Sequence, residues 1–157
     1  LGRAFLMNVV AYDPFLPAHV FEEQHTQSLS IAEVLRVSDF VTIHMPLTDE
    51  TRHMFNAESL ASMKPNAVVL NMARGGIVDE KAMYEALKAG KIGGYATDVM
   101  EDELAEGGLT EDASMDSPLF ECDNFIVTPH LGAQTVDASR DVGNYIIDKV
   151  KAALSLS

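Results

Sequence analysis

Short apolar segments alternate with amphipathic segments along most of this 157-residue chain. The apolar segments have the length of β-strands and are Met7–Tyr12, Phe40–His44, Ala67–Met72, Ile92–Val99 and Phe125–Thr128. The amphipathic segments read as helices and are Ser30–Val37, Ala57–Met63, Asp79–Leu87 and Gln134–Leu154. Since parallel strands need long crossover connections, the alternation predicts an α/β fold of the doubly wound type. Its mostly parallel sheet is expected to be covered by helices on both faces.

The composition narrows the possible partners. The net charge of −13 disfavours nucleic acid and anionic membranes, because both repel an acidic chain. The hydrophobic share of 47% is enough for one domain with its own core. Cys122 stands alone, so an intrachain disulfide is excluded. No apolar run reaches the roughly 18–20 residues of a membrane span, and no signal peptide is visible, so a reducing cytoplasm is expected.

Three polar residues, Arg74, Glu103 and His130, come just past the carboxyl ends of predicted strands, at the edge where open α/β sheets bind ligands. Arg74 precedes Gly75 and could hold a carboxylate through two parallel hydrogen bonds. His130 could move a proton, and carboxylates that follow Asp98 could orient its imidazole and raise its pKa. Asp98 ends a predicted strand, where it could touch a ligand in the cleft. The alternatives are that Arg74 is a surface arginine, that His130 is structural and that Asp98 caps a helix or turn.

Asp13 ends the first predicted strand, where an acidic residue of a dinucleotide-binding fold accepts hydrogen bonds from the adenosine ribose. A carboxylate there repels a 2′-phosphate, which favours NAD over NADP. The alternative is an Asp-Pro sequence that only starts a turn. The matching glycine fingerprint would lie about 20 residues upstream. None of the ten glycines forms one.

The remaining histidines offer less. His44 ends a strand and could line a cofactor cleft, whereas His19, His25 and His53 lie in polar loops and are expected to be solvated. No histidine pair has the spacing of metal ligands, so no metal site is predicted. Residues 101–118 hold seven acidic residues and no lysine or arginine, and we interpret them as a long loop.

Taken together, the segments resemble the NAD-binding domain of the D-isomer-specific 2-hydroxyacid dehydrogenases, the group that contains D-3-phosphoglycerate dehydrogenase. The resemblance runs from about Ala4 to Leu154. It rests on segments in the expected order: Val9–Pro14, Ile43–Thr48, Asn71–Gly75, Ala96–Val99 and Thr128–Ala133. One departure is Leu6, which stands where the family commonly has glycine.

The resemblance implies a catalytic trio. Arg74 would bind the substrate carboxylate and carbonyl, and His130 would be the general acid–base at the reacting oxygen. Glu103, five residues after Asp98, would pair with the imidazole of His130. The acidic loop is a few residues longer than the family's usual connection, so Glu101 and Glu106 are alternatives for that place.

The resemblance also implies NAD as the cofactor and a small 2-hydroxy or 2-oxo acid as the substrate. Asp98 would hold the nicotinamide carboxamide, and Asp13 would bind the adenosine ribose. The residues expected to line the cofactor cleft are His44, Pro46, Met72, Arg74, His130 and Gly132. Phosphoglycerate and a homodimer are expectations that come from the family alone.

The resemblance further implies that residues 1–157 are a partial NAD-binding domain and that the family's substrate domain is not part of this chain. In the family's strand order 3-2-1-4-5-6 the fingerprint strand is central, so the Met7 strand would have no neighbour toward the second half. We therefore predict that these residues alone bind NAD weakly or not at all and do not turn over. If they are ordered, we expect another segment or a second copy in a dimer to supply that strand. The alternative functions are a non-catalytic NAD-binding or interaction scaffold and an inactive truncated fragment.

Overall fold

The computed structural model describes residues 2–101, 117–132 and 134–154, which form two compact units, Leu1–Val127 and Thr128–Ser157. The described residues of the first unit form six strands and four helices: β1 (Val10–Ala11), α1 (Ala18–Glu23), β2 (Gln27–Ser28), α2 (Ile31–Val37), β3 (Phe40–Ile43), α3 (Ala57–Ala61), β4 (Val68–Asn71), α4 (Glu80–Lys88), β5 (Gly94–Thr97) and β6 (Phe125–Val127). Within the described residues, short 3-10 helices lie at Gly2–Phe5 and Pro118–Glu121. The second unit contains α5 (Val136–Ala153). No helix in the described ranges is long and apolar enough to cross a membrane.

All described strand pairs are parallel, which confirms the predicted α/β class. β3, β4, β5 and β6 form a four-stranded sheet in that order, and β1 pairs with β2 in a separate two-stranded sheet. Within the described residues, the first strand therefore has no hydrogen-bonded neighbour toward β3. This is the interruption expected where a central strand would lie.

One face of the four-stranded sheet carries the core. Val41 of β3, Val69 of β4 and Tyr95 of β5 lie side by side in register, and all three are buried. They join a hydrophobic cluster with residues of α2, α3 and α4, such as Leu35, Leu60 and Met83 in that order. The helices between consecutive strands thus cover this face.

The other face of the same sheet is more open. Phe40 on β3 is 59% exposed and Ile126 on β6 is 65% exposed. Helices were expected on both faces of the sheet, but among the residues described they cover one face only. The reason is topological, because right-handed crossovers between strands that advance in one direction place their helices on one side.

Capping residues determine where the predicted helices begin. Ser30 accepts a hydrogen bond from the backbone of Glu33, whose side chain accepts one from Ser30 in return, so α2 begins at Ile31 behind a capping box. Asp79 caps α4 through Ala82 in the same general way, and Thr135 caps α5. Three residues near the predicted helix starts are therefore caps.

The structure contains elements that the apolar pattern missed. β2 consists of two exposed polar residues, and α1 spans only six residues, so neither gives a periodic signal. The prediction of five strands is thus one short. The strand predicted at Met7–Tyr12 shrinks to Val10–Ala11, because its pairing with β2 spans only two residues.

The backbone conformation at Leu6 explains why glycine suits this position. It follows the first 3-10 helix with a φ of 58°, and its side chain is 94% exposed. This left-handed conformation places an L side chain near the following carbonyl, whereas glycine adopts it freely.

Tyr95 makes the stability of the fold sensitive to alkaline pH. Burial raises the pKa of Tyr95 to about 12, only partly offset by hydrogen bonding to Thr97 and Asn71. The folded-state pKa exceeds the unfolded value near 10. The contribution of the neutral Tyr95 hydroxyl to folding stability is therefore fully present below pH 10 and is lost as the pH rises toward 12.

We expect the free energy of unfolding to fall by roughly 3 kcal/mol across that interval because of this one group. Urea unfolding at a series of pH values measures it, with Tyr95→Phe as the matched variant. An equal alkaline slope in the variant and the unsubstituted protein would contradict the assignment.

Candidate functional site

The carboxyl ends of β3 and β4 border a cleft. Because the two strands are parallel neighbours, the residues that follow each of them meet at one edge of the sheet. The cleft has a volume of about 600 Å³. Its lining residues come from the two loops and are His44, Met45, Pro46, Leu47, Met72, Ala73 and Arg74. The structure thus brings together His44, Pro46, Met72 and Arg74, four of the residues singled out in the sequence.

Buried Asn71 shapes the loop that carries Arg74. Its side-chain oxygen accepts a hydrogen bond from the backbone N–H of Ala73 at 3.1 Å, and its side-chain nitrogen donates to the carbonyl of Arg74 at 2.9 Å. Only 1% of Asn71 is exposed. Sequence reasoning missed this role, although a polar residue at the end of an apolar strand was a usable signal.

The Arg74 side chain is exposed beside this rigid loop. Its Nη1 donates to the neighbouring carbonyl of Ala73 at 2.6 Å. A guanidinium carries five N–H donors in a planar fork, so one such bond leaves donors that can grip a carboxylate.

The neighbouring loop after β5 is tied to the same residue. The backbone N–H of Asp98 donates to the carbonyl of Asn71 at 3.1 Å. Buried Thr97, one residue earlier, uses its hydroxyl to bond the carbonyl of Val99 at 2.6 Å. Asp98 therefore lies at the same edge as the Arg74 loop, directly after the adjacent strand β5.

Asp13 lies after β1, at the end of the two-stranded sheet. Its Oδ1 accepts the backbone N–H of Phe15 at 2.9 Å. This contact is the turn-forming role that the sequence left open as an alternative, and the second carboxylate oxygen remains chemically suited to hydroxyl donors.

Of the three glutamates considered as partners of His130, one lies within the described residues. Glu103 and Glu106 lie outside the described residues. Glu101 lies within them, and its Oε1 is 2.6 Å from Nε2 of His53. The expectation that His53 is simply solvated is therefore wrong. The partners are 48 residues apart in sequence, so no local pattern could have revealed the pair.

His130 and Gly132 belong to the second unit. His130 comes three residues after the end of β6, is half-buried, and has a φ of 52°. A left-handed conformation is uncommon for a residue with a side chain and often occurs at functional sites. Among the described residues, nothing lies within 4 Å of the position that a Cβ of Gly132 would take.

Across residues 2–101, 117–132 and 134–154, no group of three or more His, Cys, Asp or Glu side chains is placed to hold a metal ion.

Known protein families match the chain over most of its length. Residues 1–132 match the family described as D-isomer specific 2-hydroxyacid dehydrogenase, NAD binding domain. The chain is 43% identical over 154 residues to D-3-phosphoglycerate dehydrogenase of Methanocaldococcus jannaschii, covering 98% of this chain and 28% of that protein. It is 36% identical over 153 residues to hydroxypyruvate reductase of Thermotoga maritima, covering 98% of this chain and 47% of that protein.

Solved structures agree with these relatives. D-lactate dehydrogenase from Aquifex aeolicus, solved with NAD and lactic acid, matches with a TM-score of 0.80 at 33% identity, covering 98% of this chain and 48% of that one. D-lactate dehydrogenase from Lactobacillus jensenii, solved with NAD+, gives a TM-score of 0.83 at 28% identity, covering 99% and 48%.

The match extends across the residues that carry the cleft, while the chain spans half or less of the length of these relatives. The Rossmann-like fold and the family resemblance are both confirmed. The chain belongs to the D-isomer specific 2-hydroxyacid dehydrogenase family, in which it corresponds to the NAD binding domain.

Proposed function

We propose that this chain is the cofactor domain of an NAD-dependent dehydrogenase that interconverts a D-2-hydroxy acid and its 2-oxo acid by hydride transfer. The observation that carries the proposal is the position of Arg74, which lines the cleft and whose backbone is held by the side chain of Asn71. A cation fixed beside a ligand-sized cleft suits a substrate whose constant feature is a carboxylate next to the reacting carbon.

The cleft suits the nicotinamide half of the cofactor. Its volume of about 600 Å³ falls in the range of small-molecule sites, and Leu47, Met72 and Ala73 supply apolar surface for a planar ring. Bound NAD would supply the hydride acceptor, and the protein would supply position, charge and a proton. Asp98 on the adjacent strand would orient the carboxamide.

The adenosine end would depend on Asp13. One oxygen of this carboxylate holds its own turn, which fixes the group in place, and the other would accept hydrogen bonds from the ribose hydroxyls. The same negative charge disfavours the 2′-phosphate of NADP.

Proton transfer would fall to His130, with the carboxylate of Glu103 orienting the imidazole. During oxo-acid reduction the imidazolium would donate its proton to the carbonyl oxygen as the hydride reaches the carbon. During hydroxy-acid oxidation the neutral imidazole would accept the hydroxyl proton. The backbone of Gly132 would take part in binding the cofactor.

The decisive experiment is an assay of the natural full-length protein for NADH oxidation. The oxo acids are those of the relatives' named substrates: the 2-oxo form of 3-phosphoglycerate, hydroxypyruvate and pyruvate. We expect turnover with one or more of them, and at least a tenfold preference for NADH over NADPH. NADH binding without turnover would favour the non-catalytic scaffold, and the absence of both would favour the inactive fragment. The cytoplasmic location and the homodimer stay predictions.

A further inference from the structure

Three separate chain segments meet around the pair formed by His53 and Glu101. His53 lies in the connection between β3 and α3, and Glu101 lies shortly after β5. The distance from Nε2 of His53 to Oε1 of Glu101 is 2.6 Å. The backbone of His53 has a φ of 49°, a conformation that favours glycine, yet the position holds a side chain that bonds across the fold.

The third segment is the loop of Arg74. A Cβ on Gly75 would overlap the carbonyl oxygen of Met100 and would come within 3.0 Å of Cα of Glu101. The backbones of the two loops therefore lie in direct contact, with no room for a side chain between them. A shift of the chain at Met100 or Glu101 has to displace the Arg74 loop.

Backbone hydrogen bonds complete the connection. The N–H of His53 donates to the carbonyl of Gly76 at 2.8 Å. The N–H of Glu101 donates to Oε1 of Glu80, the first residue of α4, at 2.6 Å. Glu101 is thus held both through its side chain and through its backbone.

We propose that the His53–Glu101 pair is a positioning clamp, which fixes the chain leaving β5 against the Arg74 loop. The inference rests on the proposed function and deepens it. Because one oxygen of the Glu101 carboxylate is already engaged by His53, we assign Glu101 to this clamp, and Glu103 stays the proposed partner of His130. His53 and Glu101 act through the loops they hold and are not catalytic residues.

The exposure of the pair makes the idea testable. The side chains are 40% and 32% exposed, and pairs this accessible add little to global stability. Substitutions are therefore expected to leave the protein folded and to act on the geometry of the site.

The test uses the natural full-length protein with His53→Ala, Glu101→Ala and the double variant. We expect each single variant to lower kcat roughly tenfold, because small misplacements of reacting groups are costly. The double variant should be no slower than either single one, the signature of two residues acting as a unit. His53→Gln, which keeps an N–H donor, should recover most of the rate. His25→Ala is the matched control, since His25 also has a left-handed backbone, with a φ of 46°, and is exposed.

Two further readouts separate the explanations. The midpoint of the pH profile of kcat/KM should not move in Glu101→Gln, and a moved midpoint in that variant alone would make Glu101 the partner of His130 and overturn the clamp. Amide hydrogen exchange of residues 76–80 and 98–101 should quicken in His53→Ala whether or not the protein turns over. Quickened exchange without turnover in the unsubstituted protein would defeat the proposed function and leave the clamp standing. Unchanged exchange, or fully additive losses of kcat, would defeat the clamp.

Discussion

Arg74→Ala is expected to lower kcat/KM for the 2-oxo acid by about two to three orders of magnitude, mainly through a higher KM. Removing one partner of a hydrogen-bonded charge pair costs about 2–5 kcal/mol, much of it from the charge left without a partner. In this protein the backbone at the arginine is supported, since Asn71 hydrogen-bonds the N–H of Ala73 and the carbonyl of Arg74. Steady-state kinetics with saturating NADH measures the effect.

Two further variants are compared with Arg74→Ala. Arg74→Lys keeps the charge but loses the planar fork, so it should recover only part of the KM, as bidentate recognition requires. Arg140→Ala is the control, because Arg140 is an exposed arginine of α5 that pairs with Asp137. An unaltered KM in Arg74→Ala, with NADH affinity also unaltered, would exclude Arg74 as the substrate anchor.

His130→Gln is expected to lower kcat by roughly two to four orders of magnitude, because general acid–base catalysis contributes about that much. Glutamine preserves hydrogen bonding but cannot deliver a proton near neutral pH. NADH affinity and the KM for the oxo acid should change little. The limb of the pH profile that reports the imidazole should disappear together with the rate.

The control for His130 is His19→Gln, since His19 is an exposed residue of α1. Pre-steady-state measurement of the first turnover separates the chemical step from product release. A near-normal first turnover in His130→Gln would remove His130 from the mechanism.

Much of the cleft could be predicted because its geometry follows from order along the chain. The segments around His44 and Met72 each follow an apolar run, and the two runs are consecutive parallel strands in register. Adjacent parallel strands end at the same edge, so the loops behind them meet there. The structure places His44, Pro46, Met72 and Arg74 around one cleft for this reason.

Other features could not be predicted, because they depend on contacts between distant segments. His53 has no distinguishing neighbours in sequence, and its partner is 48 residues away. The close approach of Gly75 to Met100 is likewise a contact between backbones, and its only sign in the sequence is a glycine at position 75. The short strand β2 lacks an apolar pattern because both of its side chains are exposed.

By itself, the sequence determined the parallel α/β order, the capped helix starts and the chemical types at the strand ends. These depend on local propensity, hydrophobic periodicity and side-chain chemistry, which are written in neighbouring residues. Only the tertiary structure decided that Asn71 supports the Arg74 loop, that one sheet face stays open near Phe40 and that Glu101 is engaged by His53. Those outcomes depend on which loops pack together in space, and hydrogen bonds between distant segments form only after the sheet has brought them within reach.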